Sequence, residues 1–564
     1  MAPGAERPWL KSYPQGIVWD QSFEATSLQS ILDQSAAAHG ADIHIDFLGR
    51  SYRYRETLDL ANRVAKGLQE LGLAAADRVG IFMPNCPQYV WMFFGILKAG
   101  GVVVNLSPLY STAELVQQIA DSGVDILLTL NLRSLVPKAE RLVADGAVSK
   151  VVLCRLEDTL PRLHGLLFRF LDRRRAPAPR HPAFVSARQL TANDGDFTER
   201  PIDPHEDLAV LQYTGGTTGL PKGAMLTHAN LSINLQQALA WERHVETGKS
   251  TFLTVLPMFH AYAMTVIMCG GTALAAKLVI LPKFEARQTL KAIRRTRPDF
   301  LPVVPTMLIA LLDEPDFRAD DFKSITSCLS GGAPLADDLR ARIDGLLEGT
   351  VVREGYGLTE CSPIAIGNPK GEGGKPGSVG LPVPATEVMI CDPERPSRRL
   401  EQGQVGEICL AGPQIMKGYW QRPEATAEAL YEGRLRTGDL GYLDAEGYLY
   451  IVDRIKDMIL VGGFNVYPRL IEEALFDHPK VSQAAVIGLP DSYLGEVPVA
   501  FVVPRPDQTL EEAELRLFLK QRIGKHEMPR HFYFRSELPQ TMVGKVDKKA
   551  LRAEFSDQPG VSAK

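Results

Sequence analysis

Short apolar runs rich in β-branched residues alternate with segments of helical periodicity along the first 375 or so residues of the chain. The helical periodicity is clearest at 51–71 and 111–121. The apolar runs predict strands at 78–83, 101–105, 125–130, 150–154, 208–213, 251–256, 277–281 and 300–304. Strands that alternate with helices form βαβ units, and near-continuous apolar strands are covered on both faces. The pattern therefore predicts an α/β fold with largely parallel sheets.

The pattern changes beyond about residue 375. Strand-like runs at 387–391 and 407–410, and a hairpin turn at 444–447, predict a smaller β-rich subdomain. Charge density then rises after Asp453. The remaining residues predict a separate α+β unit, with strands at 484–488 and 498–503 and helices at 467–476 and 510–522.

Composition narrows the class of protein. The 564 residues are 45% hydrophobic and 23% charged, which is ordinary for a globular chain. With 62 Lys and Arg against 67 Asp and Glu, the net charge of −5 argues against a nucleic-acid-binding surface. Seven cysteines without a Cys-x-x-Cys pair predict reduced thiols in a cytoplasmic protein. The longest apolar stretch, 261–276, is shorter than the ~18–20 residues of a membrane span, so we expect buried core there.

The segment 161–175 (PRLHGLLFRFLDRRR) stands apart because it mixes large apolar residues with arginines. One interpretation is an ordinary surface helix. The other is a basic amphipathic helix that lies on an anionic membrane. The residues alone leave both open.

A glycine- and threonine-rich string follows the predicted strand at 208–213. It reads LQYTGGTTGLPKG over 211–223. Glycines let backbone N–H groups approach an anion, while threonine hydroxyls and the Lys222 ammonium add donors and positive charge. This composition predicts a polyphosphate-binding loop. It is not a Walker A loop, since the Gly-Lys-Ser/Thr ending is absent.

This string resembles the phosphate loop of the adenylate-forming (ANL) enzymes, which include acyl-CoA synthetases, luciferases and peptide-synthetase adenylation domains. The resemblance recurs, in order, at 353–363 (REGYGLTECSP), 453–468 (DRIKDMILVGGFNVYP) and 538–549 (LPQTMVGKVDKK). It covers nearly the whole chain and is strongest to bacterial long-chain fatty acid–CoA ligases. Two positions depart from the family pattern: Gly215 replaces the commonest serine, and Leu470 replaces the usual glutamate.

The resemblance implies an organisation into two domains. A large N-terminal adenylation domain (1–452) is expected to contain two doubly wound sheets and a small β-barrel-like subdomain. A hinge at 453–457, with Lys456 at the matched position, would connect it to a small, mobile α+β C-terminal domain (458–564).

The resemblance also implies the site residues. Lys545, Thr359 and Glu360 would be catalytic, and Glu360 would also hold Mg²⁺. The acyl pocket would include His260, Gly331, Gly332 and Ala333, and the coenzyme A tunnel would be framed by Gly462, Gly463 and Phe464. Binding of ATP is expected at Tyr213, Thr214, Gly215, Gly216, Thr217, Thr218, Gly219, Lys222, Gly332, Tyr356, Gly357, Thr359, Asp439, Arg454 and Lys545.

The activity that follows is ligation of a fatty acid to coenzyme A through an acyl-adenylate, with ATP and coenzyme A as co-substrates and Mg²⁺ as cofactor. Medium- or long-chain acids are expected; dicarboxylic or aryl acids, or delivery to a carrier protein, stay open. A non-catalytic nucleotide binder would be expected to lack Lys545, Glu360 or Asp439, and an α/β-hydrolase needs a Gly-x-Ser-x-Gly elbow that the chain lacks. We expect a cytoplasmic location without nucleic-acid partners. Peripheral contact with the inner membrane and a homodimer stay open.

Overall fold

The computed structural model describes residues 7–177, 179–214, 221–242, 245–332, 335, 337–347, 352–370, 374–491, 493–541 and 545–556. Within these residues the α-helices are α1 Ser30–His39, α2 Tyr54–Glu70, α3 Pro87–Lys98, α4 Thr112–Ser122, α5 Val136–Ala144, α6 Arg162–Leu171, α7 Ala187–Leu190, α8 His228–Trp241, α9 Gly270–Ala273, α10 Ala286–Thr296, α11 Pro305–Leu312, α12 Asp337–Leu346, α13 Pro423–Ala429, α14 Pro468–Phe476, α15 Glu512–Leu519 and α16 Lys548–Ser556. Other helical segments are a π-helix at Ala263–Cys269 and 3₁₀ turns at Pro8–Ser12, Leu156–Asp158, Ala319–Phe322, Thr359–Cys361 and Ile455–Asp457.

The strands in the same residues are β1 Ile43–Phe47, β2 Arg50–Arg53, β3 Arg78–Phe82, β4 Val102–Asn105, β5 Ile126–Leu130, β6 Lys150–Cys154, β7 Phe184–Ser186, β8 Leu208–Thr214, β9 Lys222–Thr227, β10 Thr251–Thr254, β11 Lys277–Ile280, β12 Phe300–Val303, β13 Ser327–Ser330, β14 Val352–Tyr356, β15 Ile366–Gly367, β16 Leu381–Pro382, β17 Glu387–Cys391, β18 Gly406–Ala411, β19 Gly418–Tyr419, β20 Leu430–Tyr431, β21 Arg434–Leu443, β22 Leu449–Arg454, β23 Ile459–Val461, β24 Phe464–Val466, β25 Val481–Asp491, β26 Gly495–Pro504 and β27 His531–Phe534.

Two large sheets form the body of the molecule. One runs in the order β16-β15-β14-β13-β12-β10-β11-β1-β2 and the other in the order β19-β9-β8-β4-β3-β5-β6-β7. Their central strands are parallel and their edges carry antiparallel strands, such as β2 beside β1 and β9 beside β8. The predicted pair of largely parallel sheets is confirmed. The antiparallel edges were not predicted.

The predicted β-rich subdomain is a five-stranded antiparallel sheet in the order β17-β18-β21-β20, with β22 paired to β21. The C-terminal α+β unit is built on a sheet in the order β24-β23-β26-β25, with β27 parallel to β26. The main core cluster ends near Ile451, and separate clusters begin at Ile459. The chain crosses between these cores at the 3₁₀ turn Ile455–Asp457.

Local sequence signals explain the helix boundaries that matter for the site. The Ser111 hydroxyl accepts from the Glu114 N–H at 3.3 Å, and the Glu114 carboxylate accepts from the Ser111 N–H at 2.7 Å. This reciprocal cap starts α4, and Gly123 ends it in the left-handed region with φ of 67°. The C-terminal end of α4 places Asp121 next to β8, where its carboxylate accepts a hydrogen bond from the Tyr213 hydroxyl.

The burial of side chains tests two further predictions, those for the cysteines and for the apolar stretch at 261–276. All seven cysteines are buried and free of disulfides, as expected. The stretch at 261–276 is core: its π-helix Ala263–Cys269 is buried throughout. A search of the described helices for one that is long and apolar enough to span a membrane finds none.

Candidate active site

One cavity of about 1980 Å³ collects most of the predicted site residues. It is bordered by the carboxyl ends of β13 and β14, by β21 and β22 of the antiparallel sheet, and by the C-terminal unit. Crevices beyond the carboxyl ends of parallel strands are the usual ligand sites of α/β sheets. Predicted residues that line it are Thr214, Lys222, His260, Gly331, Gly332, Tyr356, Gly357, Thr359, Glu360, Asp439, Arg454, Lys456 and Lys545.

The antiparallel sheet holds a carboxylate between two donors. Asp439 on β21 lies opposite Arg454 on β22, and the Arg454 Nε donates to Asp439 Oδ1 at 2.8 Å. The Tyr356 hydroxyl donates to Asp439 Oδ2 at 2.7 Å. Burial, followed by the Asp439 charge, raises the pKa of Tyr356 well above its usual value, so the phenol stays a donor. Asp439 keeps free lone pairs, since a carboxylate has about four acceptor positions.

A lysine from the C-terminal unit enters the same cavity. If Gly332 carried a Cβ, that atom would lie 3.3 Å from Lys545 Cε and 3.9 Å from Lys545 Nζ. The φ of Gly332 is also +80°, a conformation that side-chain-bearing residues rarely adopt. The sequence therefore needs glycine at this position for the lysine to approach the backbone at the end of β13.

The electrostatics of the cavity favour an anion. Water still reaches Lys545 through the cavity, but desolvation by the surrounding protein, and then the Arg454 charge, lower its pKa. Lys456 also lines the cavity, and burial followed by Arg454 lowers its pKa to about 8. Like charges disfavour one another until an opposite charge arrives. An anionic ligand would therefore be stabilised by this cluster of cations.

A second cluster lies at the phosphate loop. Thr214 and Lys222 pair across the two strands that flank the loop, and both face the cavity. The Lys222 ammonium lies 5.2 Å from the ring centroid of Tyr419, whose hydroxyl donates to Glu360 Oε1 at 2.8 Å. Tyr419 was not predicted as a site residue. Its only sequence signal is the matching run MKGYWQRPEAT at 416–426.

Glu360 is a suitable Mg²⁺ ligand by the chemistry of its surroundings. Glu360 lines the cavity, and Tyr419 donates to only one of its two carboxylate oxygens. In the part of the chain that the structure describes, no group of three or more His, Cys, Asp or Glu residues forms a metal cage. Mg²⁺ is typically held by one or two carboxylates together with substrate phosphates and water, so a lone carboxylate fits this ion.

Close backbone packing shapes the segment between Tyr356 and Glu360. A Cβ on Gly357 would lie 1.7 Å from the Pro363 carbonyl oxygen, so no side chain fits there. The 3₁₀ turn Thr359–Cys361 follows directly. The Met416 N–H donates to the Glu360 carbonyl at 2.9 Å and ties this turn to the strand that carries Tyr419.

Part of the cavity wall is mostly apolar. Its lining includes Val266, Val304, Ile309, Leu312 and Leu329. His260 borders this side, and its Nε2 is buried without a hydrogen-bond partner. Burial, and then the Lys545 charge, lower the pKa of His260 to about 4, so the imidazole is neutral at pH 7.

Gly331 approaches a ring on the same side, because a Cβ there would lie 3.5 Å from Tyr262 Cε1. The Tyr262 hydroxyl donates to the Leu329 carbonyl at 3.0 Å and fixes this ring. The lining also includes a buried ion pair, Arg353 with Glu242, which the sequence did not predict. The Arg353 Nη2 also donates to the Ser327 hydroxyl at 2.6 Å.

Some predicted residues lie elsewhere. The Tyr213 side chain does not line the cavity: its hydroxyl donates to Asp121 Oδ2 at 2.6 Å, and Arg422 donates to the other oxygen at 2.6 Å. Tyr213 thus fixes the strand before the phosphate loop rather than facing the cavity. Six predicted residues lie outside the described residues, namely Gly215, Gly216, Thr217, Thr218, Gly219 and Ala333.

The predicted tunnel residues also lie away from the cavity. Gly462 and Gly463 form the turn between β23 and β24, with φ of +58° and +87°. Phe464 is 61% exposed, and its ring lies 5.2 Å from that of His526. In this arrangement the C-terminal unit presents Lys545 to the cavity and leaves the Gly462–Phe464 turn at the surface.

Comparison with known proteins identifies the family. The AMP-binding enzyme model matches residues 32–420, and the model of the AMP-binding enzyme C-terminal domain matches residues 470–545. The chain belongs to the AMP-binding enzymes. Among relatives of this family, the long-chain-fatty-acid–CoA ligase of Bacillus subtilis (strain 168) is 40% identical, with 98% of this chain and 99% of the relative covered. The enzyme of the same name from Escherichia coli O157:H7 is 38% identical, with 97% and 98% covered.

Solved structures confirm the adenylate-forming fold. ATP-bound MatB from Rhodopseudomonas palustris is 29% identical, with a TM-score of 0.83 and coverage of 94% of this chain and 99% of MatB. Apo MatB, at 30% identity and the same coverage, has a TM-score of 0.74. The backbone of this AMP-binding enzyme is thus more similar to the ATP-bound form than to the apo form of one protein.

Proposed function

We propose that this AMP-binding enzyme joins a medium- or long-chain fatty acid to coenzyme A, consuming ATP and releasing AMP and pyrophosphate. The observation that carries the proposal is the position of Lys545 beside Gly332, in one cavity with Asp439 and Arg454. Lys545 of the C-terminal unit thus shares the cavity with a carboxylate of the kind that suits a ribose diol. Relatives that cover nearly the whole chain carry the name long-chain-fatty-acid–CoA ligase, which supports the acid and thiol substrates.

The first step would be adenylation. A fatty carboxylate oxygen attacks the α-phosphorus of ATP, an O–P bond forms, and the bond to the β-phosphate oxygen breaks. The electron pair of that bond leaves with pyrophosphate. The charge that develops on the α-phosphate would be stabilised by Lys545 and Arg454, which both line the cavity, since positioned cations of this kind stabilise transition states strongly. The Lys222 end of the phosphate loop would hold the β- and γ-phosphates.

Mg²⁺ would be held by Glu360 together with the phosphates, and it would supply charge neutralisation when bound. The Tyr419 hydroxyl orients the Glu360 carboxylate by donating a 2.8 Å hydrogen bond to its Oε1. Burial, and then the Glu360 charge, raise the pKa of Tyr419, which keeps the phenol protonated as a donor.

The acyl chain would occupy the apolar side of the cavity. The aliphatic side chains of Val266, Val304, Ile309, Leu312 and Leu329 line part of the cavity, which favours an alkyl chain there. The neutral His260 imidazole beside it avoids placing a second cation near the reacting carboxylate.

The second step would be thioester formation. The coenzyme A thiolate attacks the acyl carbon, a C–S bond forms, and AMP leaves with the electron pair of the broken C–O bond. We infer that the domain 458–564 rotates against the domain 1–452 about the segment 453–457, near Lys456. Rotation would withdraw Lys545 and bring Gly462, Gly463 and Phe464 to the cavity. The proposed rotation is supported by the 3₁₀ turn Ile455–Asp457, which joins the hydrophobic core of the large domain to that of the C-terminal unit.

The test is pyrophosphate release with ATP and Mg²⁺, measured across straight-chain acids from acetate to stearate, α,ω-diacids and benzoates, with and without coenzyme A. The proposal expects release that peaks at medium or long alkyl acids and a thioester product only with coenzyme A. No release with any acid would contradict ligase function. A peak at diacids or benzoates would reassign the acid, and acyl-adenylate that is never passed to coenzyme A would favour delivery to a carrier protein.

The proposed location is the cytoplasm. The seven free, buried thiols agree with a reducing compartment. Fractionation of cells that express the full chain, with and without a high-salt wash of the membranes, would measure the soluble and peripheral shares.

A further inference from the structure

A buried ion pair lies in the cavity wall at a place where the proposed reaction needs no charge. The Glu242 carboxylate accepts from Arg353 Nη2, and the two side chains are only 13% and 3% exposed. Both residues line the cavity together with aliphatic side chains such as Val304 and Ile309. We call these two residues the Glu242–Arg353 pair.

Stability alone does not account for the Glu242–Arg353 pair. Within the described residues, Arg353 Nε and Nη1 are buried without a hydrogen-bond partner. A buried ion pair with unsatisfied donors is usually no more stable than apolar side chains of similar volume. The pair is therefore unfavourable unless it contributes something other than stability.

The pair lies at the start of β13, whereas the proposed reaction centre lies past the end of this strand. The Arg353 Nη2 donates to the hydroxyl of Ser327, the first residue of β13, at 2.6 Å. Gly331 follows the last residue of β13 and precedes the glycine that Lys545 approaches. The four residues of extended chain from Ser327 to Gly331 span roughly 13 Å, at about 3.3 Å per residue.

Uncharged side chains line the cavity between these two points. The Tyr262 Cε1 lies 3.5 Å from the position of a Cβ on Gly331, and the Tyr262 hydroxyl donates to the Leu329 carbonyl at 3.0 Å. Leu329 lies opposite Arg353 in the paired strands β13 and β14, and both line the cavity. An alkyl chain that starts near Gly331 and follows β13 towards its first residue therefore passes Tyr262 and Leu329 before it meets the pair.

We propose that the Glu242–Arg353 pair is a chain-length stop, which limits the acid substrates to those of medium length. An extended chain advances roughly 1.2 Å per bond, so an acid of about 10–12 carbons reaches from Gly331 to the pair. A longer chain would have to separate two charges that have little access to water, and such a separation is strongly unfavourable. The inference rests on the proposed ligase function and narrows its acid substrates.

The surroundings of the pair favour a methyl end of the acid over a second carboxylate. The Arg353 Nη2 already donates to Glu242 and to Ser327, and Arg353 Nε and Nη1 are buried. A second carboxylate would also meet the negative charge of Glu242, and like charges disfavour one another. A monocarboxylic acid is therefore the expected substrate.

The dependence of kcat/KM on chain length tests the proposal in the wild-type protein. Thioester formation is measured with straight-chain acids from hexanoate to stearate and with dodecanedioate, all at one detergent concentration. We expect a maximum at decanoate to dodecanoate and a fall of about tenfold or more at palmitate, because the extra methylene groups have no pocket to enter. Dodecanedioate should be a poorer substrate than dodecanoate.

Removal of both side chains should lengthen the accepted acid. Glu242→Ala/Arg353→Ala opens the end of the pocket and leaves no uncompensated charge, so the ratio of kcat/KM for palmitate to that for dodecanoate should rise by about tenfold or more. Arg342→Ala/Asp313→Ala is the matched control. It removes another ion pair that lines the cavity, joined at 2.8 Å, but with side chains 34% and 57% exposed. The same ratio should stay unchanged in this control.

The inference is wrong if the wild-type protein uses palmitate as well as dodecanoate, or if the Glu242→Ala/Arg353→Ala variant keeps the wild-type ratio. It is also wrong if dodecanedioate is the better substrate, because the pair would then be a receptor for an anion. The wild-type profile decides the question even if the double variant fails to fold. Absence of pyrophosphate release with every acid would contradict the ligase function itself, which separates the failure of that function from the failure of the stop.

Discussion

The two sides of the cavity are built differently. On the large-domain side, Asp439 and Arg454 sit on paired strands, and Tyr356 extends from an adjoining sheet. On the other side, Lys545 reaches the cavity from a C-terminal unit with its own core, joined by the turn Ile455–Asp457. Asp439 and Tyr356 lie within the large domain, and Arg454 lies at its boundary with the proposed hinge 453–457. The position of Lys545 depends on the orientation of the C-terminal unit relative to the large domain.

The difference explains why one set of residues can serve two reactions. In the proposed mechanism, groups needed in both steps, such as Asp439 as ribose acceptor, belong to the large-domain side. Groups needed in only one step belong to the C-terminal unit, which presents Lys545 now and keeps Gly463 at the surface. Domain closure and reopening is a known way to gate a two-step reaction.

Loss of the C-terminal cation should separate the two half-reactions most strongly. Lys545→Ala should slow acyl-adenylate formation by about a hundred- to a thousandfold, the usual effect of removing one preorganised electrostatic group. Thioester formation from supplied acyl-adenylate should be largely spared, because the lysine acts in one domain position. Stopped-flow measurement of each half-reaction checks this; equal loss in both would contradict the assignment.

Breaking the buried ion pair between Arg353 and Glu242 should lower the free energy of unfolding of the large domain and leave that of the C-terminal unit unchanged. The Arg353 and Glu242 side chains are 3% and 13% exposed. Glu242→Gln leaves a buried guanidinium without its counter-charge, which should lower the free energy of unfolding of the large domain by about 3–5 kcal/mol. Urea titration with probes in each domain measures this. Equal shifts in both transitions would show that the two cores unfold as one unit.

Lowering the pH should destabilise the large domain before the C-terminal unit. Burial lowers the pKa of His44 to about 3 and that of His228 to about 4 from 6.5. Between pH 6.5 and those values the unfolded chain binds protons that the folded chain does not. The free energy of unfolding is therefore highest above pH 6.5 and decreases as the pH falls below it. Each of the two histidines lowers it by up to about 1.4 kcal/mol for each pH unit.

The His228→Gln variant provides the control for this pH dependence. His228 Nδ1 accepts from the Leu28 N–H at 3.0 Å, a role that a glutamine oxygen can fill without titrating. The slope of unfolding free energy against pH should become shallower in the variant. An unchanged slope would show that His228 does not contribute.

Two glycines with similar backbone angles allow a matched comparison of the two sides. Gly332 and Gly463 have φ of +80° and +87°, a region that strains alanine at both positions. Only at Gly332 would the new methyl group meet Lys545, whereas nothing lies within 4 Å at Gly463. We expect Gly332→Ala to slow adenylation by about tenfold or more and Gly463→Ala to slow it far less. Equal effects would mean that backbone strain, not the lysine contact, controls the rate.

The smallest effect is expected at the hydrogen bond that orients Glu360. Tyr419→Phe removes one donor at 2.8 Å from the carboxylate, worth about 1.5–3 kcal/mol for a charged acceptor. The Mg²⁺ concentration needed for half-maximal adenylation should rise, while the apparent affinity for the acid stays constant. A change in acid affinity alone would place Tyr419 on the acyl side instead.

Much of the site could be predicted from sequence because its residues sit in continuous motifs. Asp439, Thr359, Glu360 and Lys545 each lie in a short run of characteristic spacing, and all four line the cavity. The parallel sheets were predictable for a similar reason: strands such as β5 are buried at every position and are apolar at all positions except Thr129.

The unpredicted features depend on contacts between distant segments. The Tyr213 phenol turns to Asp121 because α4 ends beside β8, and no local pattern encodes that meeting. Tyr419 reaches Glu360 because β19 pairs with β9, a contact across about 200 residues of sequence. Antiparallel edge strands such as β2 are short and only partly buried, so their apolar pattern is weak.

The most direct test of the account follows the carboxylate oxygen. The protein is incubated with ATP, Mg²⁺, coenzyme A and a fatty acid labelled with ¹⁸O in its carboxyl group, and the phosphorus products are analysed by mass spectrometry. The account predicts one labelled oxygen in AMP and none in pyrophosphate, because the acid attacks the α-phosphorus and its oxygen leaves with AMP. Label in inorganic phosphate with ADP as the product, or no label in any phosphorus product, would contradict it.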